Sequence, residues 1–136
     1  MSTSKQGPGF HHVAIRAFDF EKTVAFYRDA MGCSRRFGWG EAGSRAAMMD
    51  MGDGNYVEIF EGRNDGEIIG EGGVLHFAFR VADVDGLYNR AIEFGATSVM
   101  EPKDVAIPGD HTVDVRIAFV KGLAGETIEL FRNDEL

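Results

Sequence analysis

The sequence predicts an α+β protein built from two tandem βαβββ modules, and three observations carry that prediction. The stretch His12-Val13-Ala14-Ile15-Arg16 returns sixty-four positions later (76 − 12 = 64) as His76-Phe77-Ala78-Phe79-Arg80, and Asp19 returns as Asp83. The closing stretch Tyr56-Val57-Glu58-Ile59-Phe60 returns as Thr127-Ile128-Glu129-Leu130-Phe131, at an offset of seventy-one (129 − 58 = 71). Between these landmarks both copies pass through strand-like and helix-like periods in the same order. The second copy is therefore longer by seven residues, most simply in the loop around residues 102–111.

The elements follow in turn. Residues 10–17 alternate apolar and polar side chains, as a half-buried strand does. Asp19 then stands as an N-cap, and Phe20, Val24, Tyr27 and Met31 recur at helical spacing before Gly32, a residue suited to a left-handed helix end. Strands are expected over residues 33–39 and 46–51 and, after the turn Gly52-Asp53-Gly54-Asn55, over residues 56–61. The second copy gives a strand over 74–81, the cap Asp83, a helix carrying Val84, Leu87, Ala91 and Phe94, and a stop at Gly95. A short strand over 96–100, a long loop over 102–110, and strands over 113–120 and 127–131 complete it. The expected organisation is thus a polar tail (1–9), a first module (10–61), a glycine-rich connector (62–73), a second module (74–132) and a short C-terminal tail (133–136), all within one domain.

Composition narrows the partners. A net charge of −8 argues against nucleic acid, whose binding rests on Lys and Arg neutralising phosphates, and against an anionic membrane surface. No apolar run approaches the roughly 20 residues that cross a bilayer, and the first residues lack the apolar core of a secretory signal. Cys33 is the single cysteine, which leaves no intramolecular disulfide and fits the reducing cytoplasm; a small buried side chain is its simplest role. A small-molecule partner is expected.

Each copy carries one His at its first strand and one Glu on its last. A lone His or Glu on a strand has an ordinary structural explanation, but a repeat paired about a pseudo-twofold axis brings equivalent positions together. His12, Glu58, His76 and Glu129 then converge on one point. Two neutral imidazoles and two carboxylates suit one divalent ion such as Ni²⁺, Zn²⁺, Co²⁺, Mn²⁺ or Fe²⁺. An ion preferring six ligands keeps two places for water or substrate oxygens, the mark of a catalytic site. Alternation sends His11 to the opposite face, in a structural role. Asp110 and His111 lie in the long loop, within reach of a substrate, and a solvated turn is their simpler role.

The motifs Phe10-His11-His12-Val13-Ala14-Ile15, Val24-Ala25-Phe26-Tyr27, Leu75-His76-Phe77-Ala78 and Ile117-Ala118-Phe119-Val120, leading into Gly125-Glu126-Thr127-Ile128-Glu129-Leu130, span nearly the whole chain. In these the chain resembles the vicinal oxygen chelate superfamily (glyoxalase I, bleomycin-binding proteins, extradiol dioxygenases), and most nearly its glyoxalase I-like branch. The resemblance implies a curved mixed-sheet cleft and a metal-dependent lyase or isomerase. Such an enzyme would act on a substrate with adjacent oxygens through an enediolate. It implies Glu129 as catalytic base with Glu58 as its near-symmetric partner, both also metal ligands beside His12 and His76, and Arg16 as a substrate contact. Two other branches set alternatives: an Fe²⁺ dioxygenase using His12, His76 and Glu129, or a metal-free drug- or metabolite-binding protein. Gly62 stands where glyoxalases carry an asparagine, and Gly122-Leu123-Ala124-Gly125 replaces their Asp-Pro-Asp-Gly turn, so a glutathione adduct is not implied. Small members of the superfamily pair as homodimers. A shared site would take His12 and Glu58 from one subunit and His76 and Glu129 of the partner subunit.

Overall fold

The structure is a computed structural model, and it describes residues 10–62 and 76–135. The first module runs β1 (His12–Arg16), α1 (Phe20–Ala25) continued by a π-helical turn (Phe26–Ala30), β2 (Ser34–Trp39), β3 (Ala46–Asp50) and β4 (Tyr56–Phe60). The second runs β5 (Phe77–Arg80), α2 (Val84–Glu93), β6 (Thr97–Ile107), β7 (Val113–Lys121) and β8 (Thr127–Arg132). Each module folds into one four-stranded sheet, ordered β1-β4-β3-β2 in the first and β5-β8-β7-β6 in the second. The expected pair of mixed βαβββ sheets is what the chain forms. Most of the expected connector, and the start of the strand expected from residue 74, lie outside the described residues.

Local chemistry sets the ends of the helices. The Asp19 carboxylate accepts from Lys22 N–H at 3.0 Å, and the Asp83 carboxylate accepts from Gly86 N–H at 2.9 Å, so both satisfy amides that the first helical turn leaves without partners. Gly32 and Gly95 follow the helices at φ +82° and +109°, where a β-carbon is disfavoured.

Alternation sets the faces. In β4, Val57 and Ile59 are fully buried while Glu58 between them is not, and in β8 the same holds for Ile128 and Leu130 around Glu129. The buried faces meet in one continuous core that takes Phe26, Tyr27, Met49 and Ile59 from the first module and Phe79, Leu87, Val120 and Leu130 from the second. Each such aliphatic or aromatic side chain contributes on the order of 1.5–3 kcal/mol. Across this junction Tyr27 Oη donates to the Glu126 carboxylate, and Arg90 Nε donates to Ala30 O at 3.1 Å. The modules are thus joined through their helix-bearing faces, and the opposite face of each sheet stays open.

One expected element is corrected. The long loop over residues 102–110 is instead largely strand, because β6 continues to Ile107 and pairs with β7 as far as Ile107 opposite Val113. Pro102 reads as a breaker because it lacks an N–H, but the register shifts between Met100 and Lys103, and that irregularity takes Pro102 out of the ladder. The seven extra residues therefore lengthen a hairpin. At its tip His111 Nε2 lies 3.1 Å from Glu135 Oε1, and Asn133 Nδ2 donates to Asp114 O, so the C-terminal residues 133–135 fold back on β7.

Candidate metal centre

The open faces carry the four residues singled out by the repeat. In the first module Glu58 on β4 stands in register with Ala14 on β1, one pleat beyond His12, so His12 and Glu58 are diagonal neighbours on one face. Their Nε2 and Oε1 atoms are 3.4 Å apart. In the second module Glu129 stands in register with Ala78, and His76 Nε2 lies 3.0 Å from Glu129 Oε1. The exposures repeat as well: 39% and 14% for the His12 and Glu58 side chains, 37% and 13% for His76 and Glu129. Each imidazole is open to solvent and each carboxylate is set deeper, beside it.

The spacing fits a metal. Two donors, each about 2.1 Å from an ion, are ~3.0 Å apart at a right angle and ~3.4 Å apart at the tetrahedral angle. Both pairs match adjacent positions of one coordination sphere, and the same spacing serves an imidazole–carboxylate hydrogen bond. The four do not meet within one chain. Among the described residues, no three His, Cys, Asp or Glu side chains gather closely enough to hold an ion. Each module carries one His–Glu pair.

Neighbouring residues set the imidazoles. His11 precedes β1, so strand alternation does not govern it, and its ring turns beside His12 with the two Nδ1 atoms 2.9 Å apart. One of them donates to the other, which leaves His12 Nε2 for Glu58 and the open face. The His11 ring also rests 5.1 Å from that of Tyr56. In the second module the Phe119 ring holds His76 edge-on at 5.3 Å.

The remaining expected residues do not join these pairs. Arg16 is exposed on the open face, its Cζ 5.9 Å from the centroid of Phe60, with Nη1 donating to Glu61 O at 3.4 Å. His111 pairs with Glu135 at the hairpin tip. Cys33 is buried, which pushes its thiol up to about 12 and leaves it unreactive.

Sequence reasoning missed the side chains flanking the two Glu residues. Register places Met48 and then Phe37 beside Glu58, and Phe119 and then Met100 beside Glu129. Counting outward from each Glu across aligned strands finds them, once the strand pairing is known.

Comparison with known proteins places the chain in a family. The model of the Glyoxalase/Bleomycin resistance protein/Dioxygenase superfamily matches residues 9–130. The chain belongs to this superfamily. A glyoxalase family protein from Bacillus cereus superposes with a TM-score of 0.69 at 20% identity, over 98% of each chain. TioX from Micromonospora sp. ML1 gives 0.66 at 22%, over 93% of this chain and 100% of its own. Glyoxalase I from Zea mays gives 0.67 at 21%, over 92% of this chain and 45% of its own, so the present chain spans less than half of the maize enzyme. At these identities the likeness is one of fold. No curated protein matches the chain. The glyoxalase/bleomycin resistance/dioxygenase superfamily takes its name from enzymes and from a resistance protein, so membership by itself assigns no reaction. No helix among the described residues is long and apolar enough to cross a membrane.

Proposed function

We propose that the protein is a divalent-metal-dependent, glyoxalase-like lyase or isomerase whose site is completed by a second copy of the chain. The observation that carries this reading is the pair of matched His–Glu sets, at 3.4 and 3.0 Å, on open faces that do not meet within one chain. A twofold dimer is the commonest way for a chain to supply complementary halves. His12 and Glu58 of one subunit would join His76 and Glu129 of the partner subunit. The donor set suits Ni²⁺, Zn²⁺, Co²⁺, Mn²⁺ or Fe²⁺. When bound, such an ion polarises a substrate carbonyl and acidifies the neighbouring C–H.

The chain's own residues supply the rest. A carboxylate set beside an imidazole is a proton acceptor positioned for transfer, and Glu129 takes that role, with Glu58 as its near-symmetric partner. His11 holds His12 in orientation. Arg16, exposed at the rim, would hold an anionic part of the substrate.

The test combines metal content with exchange. Purified protein should hold about one divalent ion per completed site, and His76→Ala should lose it while remaining folded. A substrate C–H should exchange in D₂O without uptake of O₂; O₂ uptake would instead assign a dioxygenase. Mixing inactive His12→Ala and Glu129→Gln proteins after reversible dissociation should rebuild one intact site per heterodimer and restore activity toward half of wild type. Heterodimers confirmed by mass but inactive would overturn the shared site.

A further inference from the structure

The open face of the first module carries a feature that the second lacks. Strand register sets two parallel rows across it. One runs Phe37–Met48–Glu58–Ala14, and the next runs Trp39–Ala46–Phe60–Arg16. Phe37 and Trp39 are 60% and 42% exposed, an unfavourable placement for two of the largest apolar side chains. Their rings lie 5.7 Å apart, and the Trp39 ring meets Phe60 edge-on at 6.1 Å. Trp39 and Phe60 belong to strands two apart, a backbone separation of about 10 Å. The buried Ala46 between them is small enough for the rings to approach over it.

Folding does not require this ladder. The second module builds the corresponding row from Lys103, Ile117, Phe131 and Arg80. There Ile117 fills the place of Ala46 and Lys103 stands for Trp39. The same scaffold is thus completed without a tryptophan or a gap.

We propose that Phe37, Trp39 and Phe60 form a stacking platform for a planar aryl group, and that the ligand carries an acidic substituent directed at Arg16. The Phe37 row leads to Glu58 and the Trp39 row ends at the Arg16 guanidinium, so charge and aromatic surface lie on one continuous face beside His12 and Glu58. This deepens the functional reading by naming a substrate class, an aryl acid with adjacent oxygens, and rests on that reading for where the chemistry occurs.

Trp39 is the only tryptophan in the chain, so its emission reports on the platform alone. The experiment titrates metal-stripped, full-length protein with benzoylformate, its methyl ester and pyruvate, following Trp39 emission and, in parallel, calorimetry. Benzoylformate should quench or shift the emission saturably and bind roughly tenfold tighter than pyruvate, the scale of one good aromatic contact. The methyl ester should bind more weakly than the acid. By calorimetry, Trp39→Leu and Phe37→Leu should each remove most of the aryl preference, while Arg16→Gln should remove the preference for acid over ester. Equal binding of benzoylformate and pyruvate would overturn the proposal. So would emission that shifts only with protein concentration, which would show a second copy covering the rings. Metal content measured on untreated protein keeps the two readings apart. Aryl binding without any metal sinks the lyase reading and leaves the platform, and metal without aryl selectivity does the reverse.

Discussion

Replacing Tyr27 by Phe isolates a single bond across the module junction. Tyr27 is fully buried, and its hydroxyl donates to the Glu126 carboxylate of the other module. Phe keeps the ring and its edge contact with Phe26 at 5.2 Å, so little packing is lost. Glu126 keeps the Ala124 N–H, which donates to its Oε1 at 2.9 Å, so its carboxylate is not orphaned. A hydrogen bond to a charged acceptor contributes about 1.5–3 kcal/mol. For 136 residues, at roughly 2.1 cal/mol/K each, the unfolding entropy is about 0.29 kcal/mol/K, so losing about 2 kcal/mol lowers Tm by roughly 7 °C. Calorimetric melts of both proteins at one fixed protein concentration measure this, since any association would otherwise shift Tm. The pH dependence adds a second readout. Burial, and then the charge of Glu126, hold the Tyr27 phenol well above its ordinary value, so the folded state keeps a proton that the unfolded chain releases near pH ~10. That stabilisation is complete below this pH and is lost as pH rises through the folded-state value. The wild type should therefore lose stability above about pH 10 more steeply than Tyr27→Phe, the other tyrosines being common to both. A Tm change under about 2 °C, with parallel alkaline limbs, would refute the reasoning.

Two further outcomes follow from other contacts. Arg45, through its side chain and backbone N–H, and the Gly43 N–H hold the Glu61 carboxyl down to about 2, so its stabilisation is present above the ordinary carboxylate range and lost as pH falls toward that value. Urea midpoints for Glu61→Gln should accordingly fall less between pH ~4.5 and pH ~2 than those of the wild type. Glu129→Gln should keep metal near wild-type occupancy while solvent exchange at the substrate carbon drops roughly 100-fold. Full exchange in that variant would pass the role of base to Glu58.

Much of this fold was legible because alternation and capping are local. The parity of residues 12–16 and 76–80 put each His and its Glu on the open face, and Asp19 and Asp83 marked both helix starts. Three features were not local. Pro102 looked like the edge of a loop, and only the partner strand β7 reveals the irregularity that admits it. His11 obeys ring contacts with His12 and Tyr56 instead of strand parity. The repeat also suggested that four ligands converge, yet pattern cannot tell which faces of two amphipathic modules are buried against each other. Here the helix-bearing faces are, as Tyr27 and Arg90 show by crossing the junction, and the His–Glu pairs stay apart.

The parallel pairing of β1 with β4, and of β5 with β8, also sets how far along the chain each His lies from its Glu. In each module the last three strands are joined by short antiparallel connections, while the first strand pairs with the last across the whole module. His12 and Glu58 are 46 positions apart (58 − 12 = 46), and His76 and Glu129 are 53 apart (129 − 76 = 53). Closing loops of that length costs chain entropy that the local hairpins avoid. Each His meets its Glu only through that long-range pairing. The two His–Glu pairs therefore rest on the contacts of longest sequence separation in each module, whereas the hairpins beside them rest on short ones.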